Sequence, residues 1–125
     1  MPETKKDILI IDDDGKNIFA LKATLVAYGY TCYTASSAEE GIDMLLKNEG
    51  LKIVLMDMMM PEMDGYEAIK IIRSIEKIAF ATVIAVTAQA MTGDKEKCLL
   101  AGADDYISKP VNVDVLLEKL KNIKF

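Results

Sequence analysis

The chain has 125 residues, of which 51% are apolar and 28% are charged, and its net charge at pH 7 is −5. This length suits one domain with its own core and is too short for two ordinary domains. The acidic balance argues against direct binding to nucleic acid or to an anionic membrane surface. No stretch of 18 apolar residues is present, and residues 1–10 lack the apolar centre of a signal peptide, so we expect a cytoplasmic protein.

Two residue types narrow the chemistry further. The chain contains no histidine, which removes histidine acid–base catalysis, histidine metal sites and a phosphohistidine of its own. The two cysteines, Cys32 and Cys98, are too few and too far apart to indicate a disulfide framework or a zinc site, and we interpret them as small apolar side chains. Carboxylates, hydroxyls and lysine remain as the groups that could act chemically.

The first half of the chain alternates apolar strands with amphipathic helices. Asp7–Ile11 predicts a strand that runs into three aspartates, and Asp14 is suited to cap the first helix. Thr31–Thr34 predicts a second strand, and Ser36 or Ser37 caps a second helix. The inward faces that we predict for these helices are Ile18, Leu21, Leu25 and Tyr28 in the first and Ile42, Leu45 and Leu46 in the second.

The second half continues this alternation. The fourth helix, between Gln89 and Leu100, differs from the others because its apolar stripe is weak and it carries several charges. Asp104 and Asp105 are interpreted as a solvated turn at the start of the last strand. The predicted strands are Ile53–Asp57, Thr82–Val86 and Asp104–Ile107, and the inward residues of the helices that follow them are Tyr66, Ile69, Ile72 and Ile75, then Met91, Cys98 and Leu99, then Val113, Leu116, Leu117, Leu120 and Ile123.

Five strands that alternate with five helices predict an α/β fold with a parallel sheet covered on both faces. Right-handed crossovers favour a doubly wound arrangement, and we expect the strand order 2-1-3-4-5. In such a sheet the carboxyl ends of all strands lie at one edge, where open α/β sheets bind their ligands. Polar residues that follow the strands are therefore predicted to meet at that edge.

Five polar residues are predicted to share the edge: Asp12 and Asp13 after the first strand, Asp57 at the end of the third, Thr87 after the fourth and Lys109 after the fifth. Three carboxylates together repel one another unless protons or a cation neutralise them, and Mg²⁺ prefers such oxygen ligands. Lysine and threonine side chains suit a phosphate group. The set favours phosphoryl transfer, with Asp57 at its centre as the candidate nucleophile.

The motifs around these residues resemble those of response-regulator receiver domains, such as the single-domain chemotaxis regulator and the receivers of hybrid histidine kinases. Four motifs in the right order and spacing, over essentially the whole chain, make the resemblance specific. It implies a flavodoxin-like fold and a single receiver domain over residues 1–125. The matching motifs are Ile11-Asp12-Asp13, Leu55-Met56-Asp57-Met58 with Met60-Pro61 and Asp64-Gly65, Val86-Thr87-Ala88, and Ala103-Asp104-Asp105-Tyr106 with Lys109-Pro110.

The resemblance also implies a role for each residue at the edge. Asp57 would be the phospho-acceptor, while Thr87 and Lys109 would hold the phosphoryl oxygens. The peptide bond between Lys109 and Pro110 would be cis. The Mg²⁺ ligands would be the side chains of Asp13 and Asp57 and the backbone carbonyl of Met59, with Asp12 acting mainly through a bound water.

Three residues near the edge take regulatory roles from the resemblance. Tyr106 matches the aromatic switch residue of receivers, which turns inward when Thr87 moves toward the phosphate; a core aromatic at a strand edge is the alternative. Met59 and Gln89 match positions that border the path of the water that attacks the phospho-aspartate. Because a methionine side chain cannot orient water, we expect a fairly long-lived phosphorylated state and faster hydrolysis in Met59→Asn.

We therefore expect a phosphorylation switch of a two-component system or phosphorelay, and not an enzyme beyond slow self-dephosphorylation. Its phosphodonor would be a histidine kinase or a histidine phosphotransfer protein. Its downstream partner would bind the face formed by the fourth helix, fifth strand and fifth helix, and we expect a monomer. The alternatives are a phosphorylation-independent scaffold, a flavodoxin-like electron carrier and an aspartate-nucleophile phosphatase. Both a stand-alone regulator and a segment of a hybrid kinase fit the sequence.

Overall fold

A computed structural model describes residues 7–88 and 93–123. Within these residues the chain alternates five strands with five helices, as the sequence predicts. The elements, in chain order, are β1 (Asp7–Ile11), α1 (Gly15–Ala27), β2 (Cys32–Ala35), α2 (Ala38–Lys47), β3 (Leu51–Asp57), α3 (Gly65–Ser74), β4 (Thr82–Thr87), α4 (Asp94–Ala101), β5 (Asp105–Ser108) and α5 (Val113–Lys121).

The strands form one parallel sheet in the order β2-β1-β3-β4-β5, which confirms the predicted topology. Helices cover both faces, so successive side chains of a strand enter two different cores. In β1, Ile8 and Ile10 pack beneath α1 and α5, whereas Leu9 and Ile11 pack beneath α2, α3 and α4. This two-sided burial explains why the central strands are continuous apolar runs without polar alternation.

The strand register aligns the carboxyl ends that carry the predicted polar residues. Because every pair is parallel, these ends lie at one edge of the sheet. The paired residues nearest this edge are Ile11 with Met56, Asp57 with Val86, and Thr87 with Ser108. The residue that follows β1, the end of β3 and the end of β4 are thus neighbours in space.

Side chains predicted to cap helices occupy cap positions. Asp14 accepts a hydrogen bond from the Lys16 backbone N–H, and Ser37 accepts one from Glu40, so Ser37 and not Ser36 is the cap of α2. Each bond satisfies a backbone donor that the first helical turn leaves without an intrahelical partner. The local sequence therefore sets where both helices begin.

The inward face predicted for α1 is wrong at Tyr28, which is 48% exposed. The helix ends at Ala27, and Gly29, with φ of 93°, turns the chain back toward the sheet. A glycine accepts this left-handed conformation without steric cost. Tyr30 consequently takes the buried place beside β2.

The inward face predicted for α4 is partly wrong as well. The helix begins at Asp94 and has only eight residues, with Cys98 buried and Leu99 exposed. One residue advances a helix by about 100°, which is enough to rotate a neighbour of a buried residue into solvent. The predicted contributions of Gln89 and Met91 lie outside the described residues.

The cysteines agree with their interpretation as small apolar side chains. Cys32 and Cys98 are both free thiols in the two cores. Burial raises the pKa of each thiol, so the reactive thiolate is disfavoured.

Asp104 and Asp105, interpreted from sequence as a solvated turn, both have protein partners. Oδ2 of Asp104 accepts hydrogen bonds from the backbone N–H of Val83 and from the guanidinium of Arg73, each at 2.8 Å. Asp105 is the first residue of β5 and pairs with Lys119 of α5 at 3.0 Å. Both carboxylates therefore stabilise the end of the sheet opposite the predicted site.

Candidate functional site

Three polar side chains are buried among the described residues, and all three belong to the predicted set. Asp12 is 2% exposed, Asp57 is 3% exposed and Thr87 is 2% exposed. Each follows or ends a strand at the same edge of the sheet. Buried carboxylates cost free energy unless they are paired or hydrogen bonded, so their concentration at one place points to a function.

The predicted carboxylates do meet. Asp12, Asp13 and Asp57 each offer one oxygen, and these oxygens all lie within 4.8 Å of one another. Asp13 is exposed while the other two are buried, so the cluster opens to solvent on the Asp13 side. Three carboxylates thus lie close together, and one of them is exposed to solvent.

The electrostatics of Asp57 reflect this crowding. Burial raises the pKa of its carboxyl above the ordinary value of 3.8, and the charge of Asp12 raises it further. The Met59 backbone N–H, which donates to Asp57 Oδ1 at 3.1 Å, and the nearby Lys109 act in the opposite direction. The net direction of the pKa is upward, because burial of the Asp57 carboxyl is the largest of these influences.

The donor set fits Mg²⁺. Hard carboxylate oxygens with room for water are the ligands that this ion takes in proteins, usually one or two carboxylates at a time. Burial and the neighbouring charge of Asp12 both disfavour the ionised form of Asp57 and raise its pKa. A divalent cation supplies the missing positive charge without a proton.

Lys109 lies between the two buried carboxylates. Its Nζ is 3.4 Å from Asp57 Oδ1 and 3.7 Å from Asp12 Oδ2. Its backbone N–H donates to the carbonyl of Thr87 at 2.7 Å, which fixes the loop after β5 against the end of β4. The peptide bond from Lys109 to Pro110 is cis, as the resemblance implied. The predicted cation and hydroxyl are thus brought to the same edge as the carboxylates.

Gly65 packs directly against the backbone of β3 where that strand ends at Asp57. A Cβ on this residue would lie 2.7 Å from the Met58 Cα and 2.8 Å from the Asp57 carbonyl oxygen. Only glycine permits such a close approach of backbones. Asp64 caps α3 by accepting from Glu67, so the helix starts directly against the strand end that carries Asp57.

Asn17 had no role predicted from sequence. Its side-chain amide donates to Asp12 Oδ2 at 2.6 Å, while the Asp14 backbone N–H donates to Oδ1 at 2.9 Å. The sequence gives only weak evidence for this contact. Asn17 is a polar residue in the first turn of α1, close to the carboxyl end of β1. It depends on how α1 leaves the sheet, which sequence spacing does not give.

Tyr106 is half-buried in β5, and its ring is 5.9 Å from the Nζ atoms of both Lys95 and Lys119. The ring also packs against the core on the side of α4. Its position suits either the switch role or the core role, so the switch stays a prediction. Met59 carries a side chain that is 60% exposed, and Gln89 lies outside the described residues.

Comparisons with known proteins agree with this geometry. The family model described as response regulator receiver domain matches residues 8–121. The sensor histidine kinase RcsC of Salmonella typhimurium is 40% identical over 113 residues, which are 90% of this chain and 12% of the kinase. The polar-differentiation response regulator DivK of Brucella ovis is 34% identical over 117 residues, which are 94% of each chain. The chain thus spans about an eighth of RcsC and nearly all of DivK.

A solved structure gives the same result. This chain superposes with a TM-score of 0.87 and 30% identity on a chain of a co-crystal structure, over 97% of this chain and 90% of that one. That structure contains the Saccharomyces cerevisiae histidine phosphotransfer protein Ypd1 and the receiver domain of its downstream response regulator Ssk1. None of the described helices combines the length and apolarity that crossing a bilayer requires. On the family match and its relatives, the chain belongs to the response regulator receiver domain family of two-component and phosphorelay signalling.

Proposed function

We propose that this receiver domain is a switch that accepts a phosphoryl group on Asp57 in a step that needs Mg²⁺. The observation that carries the proposal is the environment of Asp57. Its buried carboxylate shares an oxygen cluster with Asp12 and Asp13 and has the Lys109 ammonium at 3.4 Å. A buried carboxylate beside a cation, with Thr87 at the end of the neighbouring strand, is suited to receive phosphate.

In the transfer step, an oxygen of Asp57 attacks the phosphorus of a partner's phosphohistidine. The new P–O bond forms as the P–N bond breaks, and the ring leaves as neutral imidazole because its other nitrogen carries the proton. Lys109 and Thr87 donate to the phosphoryl oxygens. Held by Asp13, Asp57 and the Met59 carbonyl, with Asp12 acting through water, Mg²⁺ would neutralise charge on those oxygens.

The phosphohistidine that supplies the phosphoryl group lies outside these 125 residues, because they contain no histidine. A histidine kinase or a histidine phosphotransfer protein is the class that fits. Two relatives support it: RcsC is named a sensor histidine kinase, and the Ssk1 receiver has been co-crystallised with a histidine phosphotransfer protein. The domain itself is a switch and not a catalyst of turnover.

The output surface of the proposal is the face formed by α4, β5 and α5. The cap of α4 is Gly93, which makes no side-chain cap bond, and the first turn of the helix is held to α3 by Tyr66, whose hydroxyl donates to Asp94 at 3.0 Å. A short helix with few fixed contacts can change its population at small cost. A downstream protein that binds this face, including Tyr106, would read the phosphorylated state.

The test is an intact-mass measurement after incubation with acetyl phosphate. A gain of one phosphoryl group that requires Mg²⁺ is expected for the wild type and for Asp43→Asn, an exposed carboxylate on α2. Asp57→Asn should gain nothing. Because some receivers accept phosphate only from their own kinase, beryllofluoride binding is followed in parallel by NMR. Loss of both responses, with unmoved resonances of Thr87 and Lys109, would leave the phosphorylation-independent scaffold as the function.

A further inference from the structure

Asn17 donates a hydrogen bond of 2.6 Å to Asp12, shorter than the 2.9 Å bond that the same carboxylate accepts from the Asp14 backbone. We propose that Asn17 is a positioning residue that fixes Asp12 and thereby leaves Lys109 available to the phosphoryl group on Asp57. The inference rests on the proposed function. It adds a residue that determines whether Lys109 pairs with Asp12 or with Asp57.

The hydrogen bonds of Asp12 carry the argument. Its Oδ1 accepts from the Asp14 backbone, and its Oδ2 accepts from Asn17 at 2.6 Å. Lys109 lies 3.7 Å from the same Oδ2, beyond ordinary hydrogen-bond distance. The carboxylate of Asp12 is therefore satisfied by neutral donors, and the lysine is not its principal partner.

The position of Lys109 follows from this arrangement. Its Nζ lies closer to Asp57 Oδ1, at 3.4 Å, than to Asp12 Oδ2. Lysine has a flexible four-carbon stem and carries its charge at one point, so its position depends on which acceptor binds it more strongly. Without the Asn17 amide, Asp12 would be a buried carboxylate with one oxygen lacking its nearest donor, and it would draw Lys109 away from Asp57.

An amide is the side chain that this position requires. A lysine or arginine at residue 17 would place a second cation beside the ligands of Mg²⁺ and oppose metal binding. A carboxylate would have no proton to donate and would add a fourth negative charge to the cluster. An asparagine donates a hydrogen bond without changing the charge of the site. Asn17 is half-buried in the first turn of α1, so the helix fixes its reach.

The matched pair of variants is Asn17→Leu and Asn48→Leu. Leucine is close in size to asparagine and cannot donate. Asn48 also uses its side-chain amide, donating to the Met44 carbonyl at 2.8 Å, but it lies at the end of α2, before the amino end of β3. Asn17→Gln restores an amide donor, and Asn17→Ala replaces the leucine variant if that variant does not fold.

Two measurements test the inference. Beryllofluoride affinity at saturating Mg²⁺ should fall about tenfold in Asn17→Leu, the lower end of what a positioning contact contributes. It should be unchanged in Asn48→Leu and partly restored in Asn17→Gln. In the protein without Mg²⁺ or beryllofluoride, the NMR signals of the Lys109 side chain should shift in Asn17→Leu alone, which a general loss of stability would not produce.

Wild-type beryllofluoride affinity in Asn17→Leu, or unmoved Lys109 signals, would overturn the inference. Failure of the wild type itself to bind beryllofluoride would instead overturn the proposed function. In that case the Lys109 NMR signals would still test whether Asn17 positions Asp12, because they are recorded without any ligand.

Discussion

Two charged clusters lie at opposite edges of the same sheet, and they differ in how their charges are balanced. At the amino end of β4, the Arg73 guanidinium donates to the carbonyls of Ala79, Ala81 and Gly102 and to the Asp104 carboxylate. Each of these oxygen atoms accepts a hydrogen bond from an N–H group of the guanidinium. At the carboxyl end, Asp12, Asp13 and Asp57 lie together, and Lys109 is 3.4 Å from Asp57 and 3.7 Å from Asp12.

An unbalanced charge marks the functional site, and a balanced one marks a structural contact. The Arg73 cluster contains one cation and one carboxylate, and its remaining hydrogen bonds tie together segments that are distant in sequence. It is saturated, so it can add stability but has nothing left to bind. The Asp57 cluster carries more negative than positive charge, two of its three carboxylates are buried, and a cation would balance it.

The largest effect is expected when the balanced cluster is broken. Arg73→Met keeps the apolar stem and removes the guanidinium, leaving three carbonyls and Asp104 without their donor. The free energy of unfolding should fall by about 3 kcal/mol, because several backbone carbonyls lose a charged hydrogen-bond donor at once. Urea unfolding followed by circular dichroism measures it. Lys47→Met, which breaks an exposed pair with Asp43, is the control and should cost less than about 1 kcal/mol. A loss as small as the control's would contradict the structural role.

The next effect comes from completing the unbalanced cluster. Mg²⁺ at a hundred times its dissociation constant should raise the free energy of unfolding by about 2.7 kcal/mol, because it binds the folded state alone. Asp13→Asn should remove most of the increase while leaving the metal-free protein nearly as stable, since Asp13 is exposed. Thermal unfolding in a Mg²⁺ titration measures both. The idea fails if the wild type and Asp13→Asn respond equally.

A smaller effect, of opposite sign to most substitutions, is expected at Asp57. Asp57→Asn should stabilise the metal-free protein by about 1 kcal/mol at neutral pH. The folded-state pKa of Asp57 is raised, so its ionised form weakens the fold above that pKa, and neutralisation relieves this. The gain should vanish as pH falls below the ordinary value of 3.8, where the carboxyl is protonated in both states. Urea unfolding of the wild type and of Asp57→Asn, from neutral pH to below 3.8, measures the difference in their free energies of unfolding. A variant less stable than the wild type at neutral pH would contradict the prediction.

The smallest effect concerns the lifetime of the phosphorylated state. Met59→Asn should hydrolyse about threefold faster, a change of about 0.6 kcal/mol in the barrier, because the amide can orient a water that methionine cannot. The decay of the phosphorylated mass after removal of acetyl phosphate measures the rate. Phe80→Asn, an exposed residue before β4, is the control. Equal decay in Met59→Asn and wild type would remove the argument.

The sequence was sufficient for features that depend on local pattern. Strand order follows from the alternation of elements, and the helix starts follow from caps such as Asp14 and Ser37. The meeting of Asp12, Asp13 and Asp57 follows from the topology alone, because parallel strands end at one edge.

Features that depend on relative orientation could not be predicted. The bond from Asn17 to Asp12 requires the angle at which α1 leaves β1, and the partners of Arg73 come from loops that are far apart in sequence. The error at Tyr28 has a similar cause, since the helix stops one residue earlier than its periodicity suggests. The exposure of Leu99 could not be derived because an eight-residue helix has too few turns to define a face.

The hydrogen bond from the Lys109 backbone to the Thr87 carbonyl has a mechanical consequence. The two residues proposed to hold the phosphoryl group are connected by a backbone hydrogen bond of 2.7 Å, and Thr87 is also paired in register with Ser108. A shift of either backbone toward a ligand on Asp57 would therefore be transmitted to the other. A change of charge at Asp57 would therefore displace β5, the outermost strand on this side of the sheet. Tyr106 lies in this strand, two residues before Ser108.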